Sequence, residues 1–411
     1  MRTNRWLALF CLLAAGLMYW ACNCFAETKV GPKIKLGGLF DISGPTNEIG
    51  VPFADGARDY IHSVNKGGGI NGLQVELIVI DYQYDIQKST AGFVRLSEKE
   101  DVLGIIGWGS VDTPLLLPKA EEKSISIISA AARTTAVVGK LHPYGFSIAG
   151  SYAEEYATFL EWIRRDAQKK GISKPKVAYL HVRGTRPDLE VLKKINAFER
   201  LGGTLEISEL IDANAMSATS EMLRVKEKGV DYVICALTVS PTVLALKEAR
   251  KLGFKAVFCS GAFSSNENML DLTASANAEQ DMVCASPVAF MNQTTVEGIK
   301  KIRAFTGGSS RPVQYVTGWV GAMALAKGLE RAKISSETLT VEAKRALKNG
   351  LESIRNESMD GLTKPMTFTE KSHRGTKGFR LYNVNWKNKT FEELPGDFIV
   401  SEDLYRDLYS D

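Results

Sequence analysis

Histidine is scarce. The chain has only four in 411 residues, and His62, His142, His181 and His373 lie too far apart for metal-ligand spacing. No metal centre is expected, and no cofactor motif is present. The six cysteines are no better patterned: Cys11, Cys22 and Cys24 lie near the amino terminus, Cys235, Cys259 and Cys284 sit in separate apolar runs, and no Cys-x-x-Cys occurs. A free cysteine in such a run acts as a small hydrophobe, although an oxidising compartment would allow two of the three to pair. An excess of one charge is also missing. Lys+Arg number 51 against 47 Asp+Glu, a net +4 without a basic stripe, so nucleic acid is not expected as a partner. A Walker pattern is absent. Gly67-Gly68-Gly69-Ile70-Asn71-Gly72 matches G-x-G-x-x-G, but it follows a helical stretch and precedes a strand-like one, the reverse of a dinucleotide fingerprint. No nucleophile elbow surrounds Ser110, because Asp112 stands where its second glycine would be, and no histidine is near in sequence.

The first 26 residues differ from the rest. Arg2 and Arg5 precede an apolar run from Trp6 to Trp20, and Cys24-Phe25-Ala26 offers the small residues of a signal-peptidase site. This reads as a cleaved secretory signal ending near Ala26. The run is short for a membrane span. A retained anchor and lipidation at Cys22 stand as alternatives, with bulky Tyr19 and Trp20 arguing against the latter. Loss of the two arginines would bring the net charge to +2.

The remaining length suits two domains, each with its own core. Lys33–Phe40 reads as a strand, followed by the loop Asp41-Ile42-Ser43-Gly44-Pro45. A helix follows with Pro52 in its first turn and Phe53, Ala57, Ile61 and Val64 on one face. Val75–Ile80 is a second strand and Lys88–Lys99 another helix. Val102–Gly107 and Ile125–Ser129 are short apolar strands joined by a helix-length crossover, as a parallel pair requires. From about Gly150 the rhythm restarts: helices over 154–169, 188–201, 217–228 and 241–252 alternate with strands over 177–181, 205–207, 231–237 and 256–260. Residues 293–305, 315–333 and 339–349 are then helical, and Phe379–Asn385 alternates like an edge strand. This is a doubly wound α/β pattern, used twice.

In an open parallel sheet, ligands bind outside the carboxyl ends of the strands. Trp108–Thr113 and Ala130–Thr134 follow two neighbouring strands, so they form two walls of one expected site.

Several pieces in this order, namely Phe40-Asp41-Ile42-Ser43-Gly44-Pro45, Gly56-Ala57-Arg58, Asn65–Gly72, Ile105-Ile106-Gly107 before Ser110, Ile127-Ile128-Ser129 before Ala132, and Ala249–Phe254, resemble the periplasmic branched-chain amino-acid binding protein family. These are type I solute-binding proteins of ABC importers. The resemblance implies two Rossmann-like lobes, three hinge crossovers and a ligand held in the cleft. It divides the chain into a first lobe of 27–150 and 287–358 and a second of 151–286 and 359–411. It also implies a small-molecule ligand, permease subunits in the inner membrane as partners, a periplasmic location, a monomer and no catalysis.

In the family's amino-acid binders the first lobe holds the ligand carboxylate. The matching positions are Ser110, Ala132 and the residues just after it, with Ala131 in the same wall, and a hydroxyl with backbone amides at strand ends suits an anion. The acids that meet the ammonium are replaced by Tyr152 and Ala262, so an ordinary α-amino acid would lack its charge partner. Arg133 and Arg186 are placed to suit an anion, or else lie on the solvated rim. Trp108, Tyr84 and Tyr152 offer an aromatic surface, whereas Tyr82 and Phe263 read as core. Asp112 takes a ligand hydroxyl or caps the following helix. The expected function is capture of a small carboxylate-bearing molecule, aromatic or branched, by cleft closure. A sensing module that hands the solute to a receptor, and a binder of branched-chain amino acids or amides, are the alternatives.

Overall fold

The computed structural model describes residues 32–130, 137–335 and 341–409. Within them lie two β-sheets. The first contains β1 (Ile34–Phe40), β2 (Val75–Asp81), β3 (Gly104–Gly107), β4 (Ser126–Ser129) and β5 (Gly145–Ser147), all parallel, in the order β2-β1-β3-β4-β5. The second contains β6 (Lys176–His181), β7 (Thr204–Leu210), β8 (Tyr232–Ala236), β9 (Val257–Ser260), β10 (Met282–Ser286), β11 (Arg380–Asn385) and β12 (Thr390–Glu393). Its order is β12-β11-β10-β9-β8-β6-β7, parallel except for the last hairpin, which pairs antiparallel with β10. This is the type I periplasmic-binding-protein architecture. The chain crosses between the sheets after β5, after β10 and again before β11.

Helices cover both sheets because their apolar stripes have nowhere else to go. Against the first sheet, the Asn47–Lys66 helix crosses the Val313–Arg331 helix. The backbones touch: a Cβ on Gly56 would lie 1.9 Å from the Tyr315 carbonyl oxygen, and one on Gly318 would lie 1.9 Å from that of Phe53. Only hydrogen fits at either crossing point. The Val341–Glu352 helix packs on the Val313–Arg331 helix and on β4.

The structure departs from the sequence expectations where backbone detail decides. The first helix starts at Asn47, so Pro52 lies in its second turn rather than its first. The helix expected over 88–99 runs Ile86–Val94 and then widens into a π-turn over Arg95–Lys99. The helix expected over 188–201 is two, Arg186–Lys194 and Ala197–Arg200, broken where Asn196 adopts φ 51°. The strand over 380–385 is not an edge: β12 covers it, a partner the polar run Thr390–Glu393 did not announce. The glycine-rich 67–72 segment is a turn closed by the Ile70–Leu73 bridge. All three described cysteines are free and buried. Cys259 pairs in register with Ile234 and Val283, while Cys235 and Cys284 both pair with Ser260, so the last two are a full strand apart.

One carboxylate ties the first crossing to the third. Glu154, in the first turn of the Tyr152–Lys169 helix, is fully buried. It accepts from Arg374 Nη1 at 2.9 Å, the Gly378 amide at 2.7 Å, the Tyr405 hydroxyl at 2.8 Å and the Tyr409 hydroxyl. Arg374 in turn lies over the Tyr405 ring, 4.1 Å from its centroid. The first crossing, the returning 374–378 segment and the Glu402–Leu408 helix therefore meet on one side chain. Glu154→Ala is expected to cost about 3–5 kcal/mol, the usual penalty for stranding a buried charge such as Arg374, and Glu154→Gln less. Urea unfolding monitored by far-UV circular dichroism measures both.

Candidate functional site

The loops that follow the strands converge on a cavity of about 320 Å³ between the two sheets. Thr46 follows β1, Tyr84 follows β2 and Trp108 to Val111 follow β3. From the other sheet come Val182 to Thr185 after β6, Asp212 and Ala213 after β7, Leu237 and Thr238 after β8, and Gly261 to Phe263 after β9. Each sheet reverses its winding beside these strands, at β1/β3 and at β6/β8. The cavity thus lies where two topological switch points face each other.

The first wall is braced from below. Asp41, fully buried, accepts from the Gly44 amide at 2.6 Å and from the Thr46 amide and hydroxyl at 2.7 Å each. Thr46 then accepts from Trp108 Nε1 at 3.0 Å, which fixes the indole in the wall. Trp108 packs at 5.0 Å on Phe53 and, from the other side, at 6.2 Å edge-to-face on Phe263. That last pair spans the cleft. Tyr152 also meets Phe263, at 5.7 Å, and its hydroxyl is hydrogen-bonded with Ser110. Tyr84 takes φ 55° in a tight turn after β2, an uncommon backbone state for an aromatic residue.

Of the expected site residues, Trp108, Ser110 and Tyr152 line the cavity. Asp112 does not. It is the first residue of the Asp112–Glu122 helix, and its Oδ1 accepts from the Tyr82 hydroxyl at 2.9 Å, behind the wall. Burial pushes its carboxyl up to about 6. A Cβ on Gly109 would lie 1.8 Å from that Oδ1, so glycine is needed where the wall passes over it. Arg186 also lies outside the lining: its side chain is 69% exposed, and its nearest acid is Glu190 at 4.0 Å. Helical geometry at the start of Arg186–Lys194 turns it to solvent, and Arg183, three residues earlier, occupies the rim in a forked pair with Asp212 at 2.9 and 3.1 Å. Ala131, Ala132 and Arg133 lie outside the described residues. Phe263, expected as core, faces the cavity, whereas Tyr82 is core.

Sequence reasoning missed Glu155. This carboxyl lines the cavity, yet the residue is only 1% exposed. Its Oε1 accepts from the Ala262 amide. Tyr152, Glu155 and Tyr156 share one helix face at i, i+3 and i+4, so the position of Tyr152 carried a legible signal. Burial, with Asp188 nearby, pushes the Glu155 carboxyl up to about 8, although the Ala262 amide pulls the other way.

Two α/β sheets whose carboxyl ends enclose one cavity, joined by three crossings, define a clamp-type binding protein. A family model described as periplasmic binding protein matches residues 33–390, and the chain belongs to that family. It is 24% identical over 340 residues to the Leu/Ile/Val-binding protein homolog 7 of Brucella suis, covering 79% of this chain and 82% of the relative. Its fold is similar to an ABC transporter substrate-binding protein of Aeropyrum pernix (TM-score 0.79, 23% identity, 92% of this chain and 99% of the other). It is equally similar to a branched-chain amino-acid ABC transporter protein of Thermus thermophilus with bound valine (TM-score 0.79, 20% identity, with the same coverage). The protein is therefore an exported, non-catalytic solute-binding component of an ABC importer. Its partners are a small molecule and membrane permease subunits.

The raised Glu155 carboxyl makes a prediction about pH. Between the usual carboxylate range and about 8, the folded state holds a proton that the unfolded state has released. Its contribution to stability is complete at low pH and is lost as pH rises through that window. In the ligand-free protein, wild type should lose thermal stability relative to Glu155→Gln between pH 5 and pH 8, as read by differential scanning calorimetry. A constant difference between the two would show that the carboxyl titrates normally.

Proposed function

We propose that the protein captures a small carboxylate-bearing molecule with an aromatic or branched apolar body, for import. The observation that carries this reading is the wall of Tyr84, Trp108, Tyr152, Tyr156 and Phe263 around a cavity of about 320 Å³ at facing strand ends. Such a cavity suits a compact ligand whose apolar surface is removed from water, with a few polar groups fixing its orientation. Ser110, together with the amides of Gly109 to Val111 at the start of the Asp112–Glu122 helix, supplies a cradle for the carboxylate. The relative's Leu/Ile/Val name and the valine held by the Thermus protein both fit an apolar body of this size.

Binding draws the two halves together, because the ligand contacts both only when they are closed and its differential affinity shifts the population. The lobes in this reading are 27–150 with 287–358, and 151–286 with 359–411. Export involves cleavage near Ala26 rather than lipidation at Cys22.

A thermal-shift panel of aromatic, aliphatic and dicarboxylic acids, amides and branched amino acids tests the reading. A true ligand at about a hundred times its dissociation constant adds roughly 2.7 kcal/mol of stability. At least one monocarboxylate with an apolar body should respond. A panel in which only dicarboxylates or amides respond would overturn this ligand class. Ser110→Ala should weaken binding about tenfold in calorimetry, the loss expected for one hydrogen bond to a charged group, and leave the fold intact.

A further inference from the structure

We infer that Glu155 is a specificity-determining residue: it receives a hydrogen-bond donor, either an ammonium or a hydroxyl, carried by the ligand in addition to its carboxylate. This rests on the proposed reading of the cavity and goes further, because it requires a ligand with two polar groups that meet opposite walls.

Glu155 belongs to the Tyr152–Lys169 helix on the side of the second sheet, while Ser110 belongs to the loop after β3 of the first. Both line the same cavity. The carboxyl of Glu155 is fixed rather than roaming, since Oε1 is held by the Ala262 amide and the residue is almost entirely buried. A buried carboxyl is costly unless something donates to it. The groups around it are acidic or neutral: Asp188, Tyr152, Tyr156 and Tyr179. Among the described residues that line the cavity, Arg183 is the one cation, and its guanidinium is 76% exposed and forked onto Asp212. The chain thus places a fixed acceptor in an apolar cavity, with one backbone donor on it and an acid nearby. An ammonium arriving at this point makes a charge-assisted hydrogen bond in a dry site, the carboxyl releasing its proton to solvent, whereas a hydroxyl makes an ordinary one.

The expectation that an amine would be unpaired considered positions 152 and 262 alone. The structure puts a carboxyl one helical turn beyond the first and hydrogen-bonded to the second. Position 262 contributes its amide rather than a side chain, and that amide holds the acid in place.

Matched pairs of acids test the inference by titration calorimetry on the purified full-length mature protein. Leucine and 4-methylpentanoate differ only by the ammonium group. 4-Hydroxyphenylacetate and phenylacetate differ only by the hydroxyl. In at least one pair the donor-bearing member should bind wild type more tightly, by at least about tenfold for the ammonium or about fivefold for the hydroxyl. If the ammonium is the donor, Glu155→Gln should reduce that advantage about tenfold, because the amide keeps the shape and loses the charge. If the hydroxyl is the donor, Glu155→Gln should keep most of the advantage, and Glu155→Leu should abolish it. Circular dichroism and melting curves confirm that each variant is folded. If both bare acids bind as tightly as their partners and Glu155→Gln changes none of the four affinities, the inference is overturned and the carboxylate reading stands. If none of the four binds either protein, the carboxylate reading is lost and the inference with it.

Discussion

Two separate sheets can share one small ligand only if their carboxyl ends face each other, and the chain must hold that arrangement without locking it. Glu154 is where this constraint is met. The carboxylate gathers an arginine, a backbone amide and two tyrosine hydroxyls from the returning segment and the terminal helix. Its own helix starts at the first crossing. A buried carboxylate with four donors has a strong preference for one geometry. The first crossing is therefore pinned to the segment that returns before β11 and to the terminal helix.

The neighbouring residue makes the contrast plain. Glu154 and Glu155 are adjacent, both buried and both acidic. Helical geometry sends them to different faces, about 100° apart. Glu154 turns toward the hinge and is saturated with donors, including a guanidinium. Glu155 turns toward the cavity and, among the described residues, accepts from one backbone amide, that of Ala262. The first serves architecture, the second is placed to serve recognition. Contacts also span the cleft: Trp108 meets Phe263, Tyr152 meets Ser110, and Glu267 accepts from the Val313 amide at 3.1 Å, capping a helix that packs on the first sheet.

The first wall shows how a loop becomes a rigid surface. Asp41, Thr46 and Trp108 form a relay of hydrogen bonds from the end of one strand to the end of its neighbour. Asp112 and Tyr82 brace the same wall from behind. Asp41 is buried and its carboxylate is satisfied within the wall, so the relay favours one indole orientation over several. Preorganised walls lower the ordering cost of binding.

The sequence by itself determined the repeated α/β rhythm, the parallel sheets and the rule that function lies after the strands. Those follow from local periodicity and from where crossovers can run. It also placed Trp108, Ser110 and Tyr152, because each sits close after a strand or a crossing and needs no distant partner to be found. It did not reveal that Phe263 faces the cavity or that Asp112 turns inward, and it left open whether Arg186 points to solvent, since rotation about a helix axis or a loop is set by packing. Neither did it reveal the β11–β12 hairpin, whose outer strand is too short and polar to show a pattern. Glu155 is the clearest case. A glutamate in a helix reads as a solvated charge until the fold buries it against an amide 107 residues away, and only tertiary structure brings those two points of the chain together.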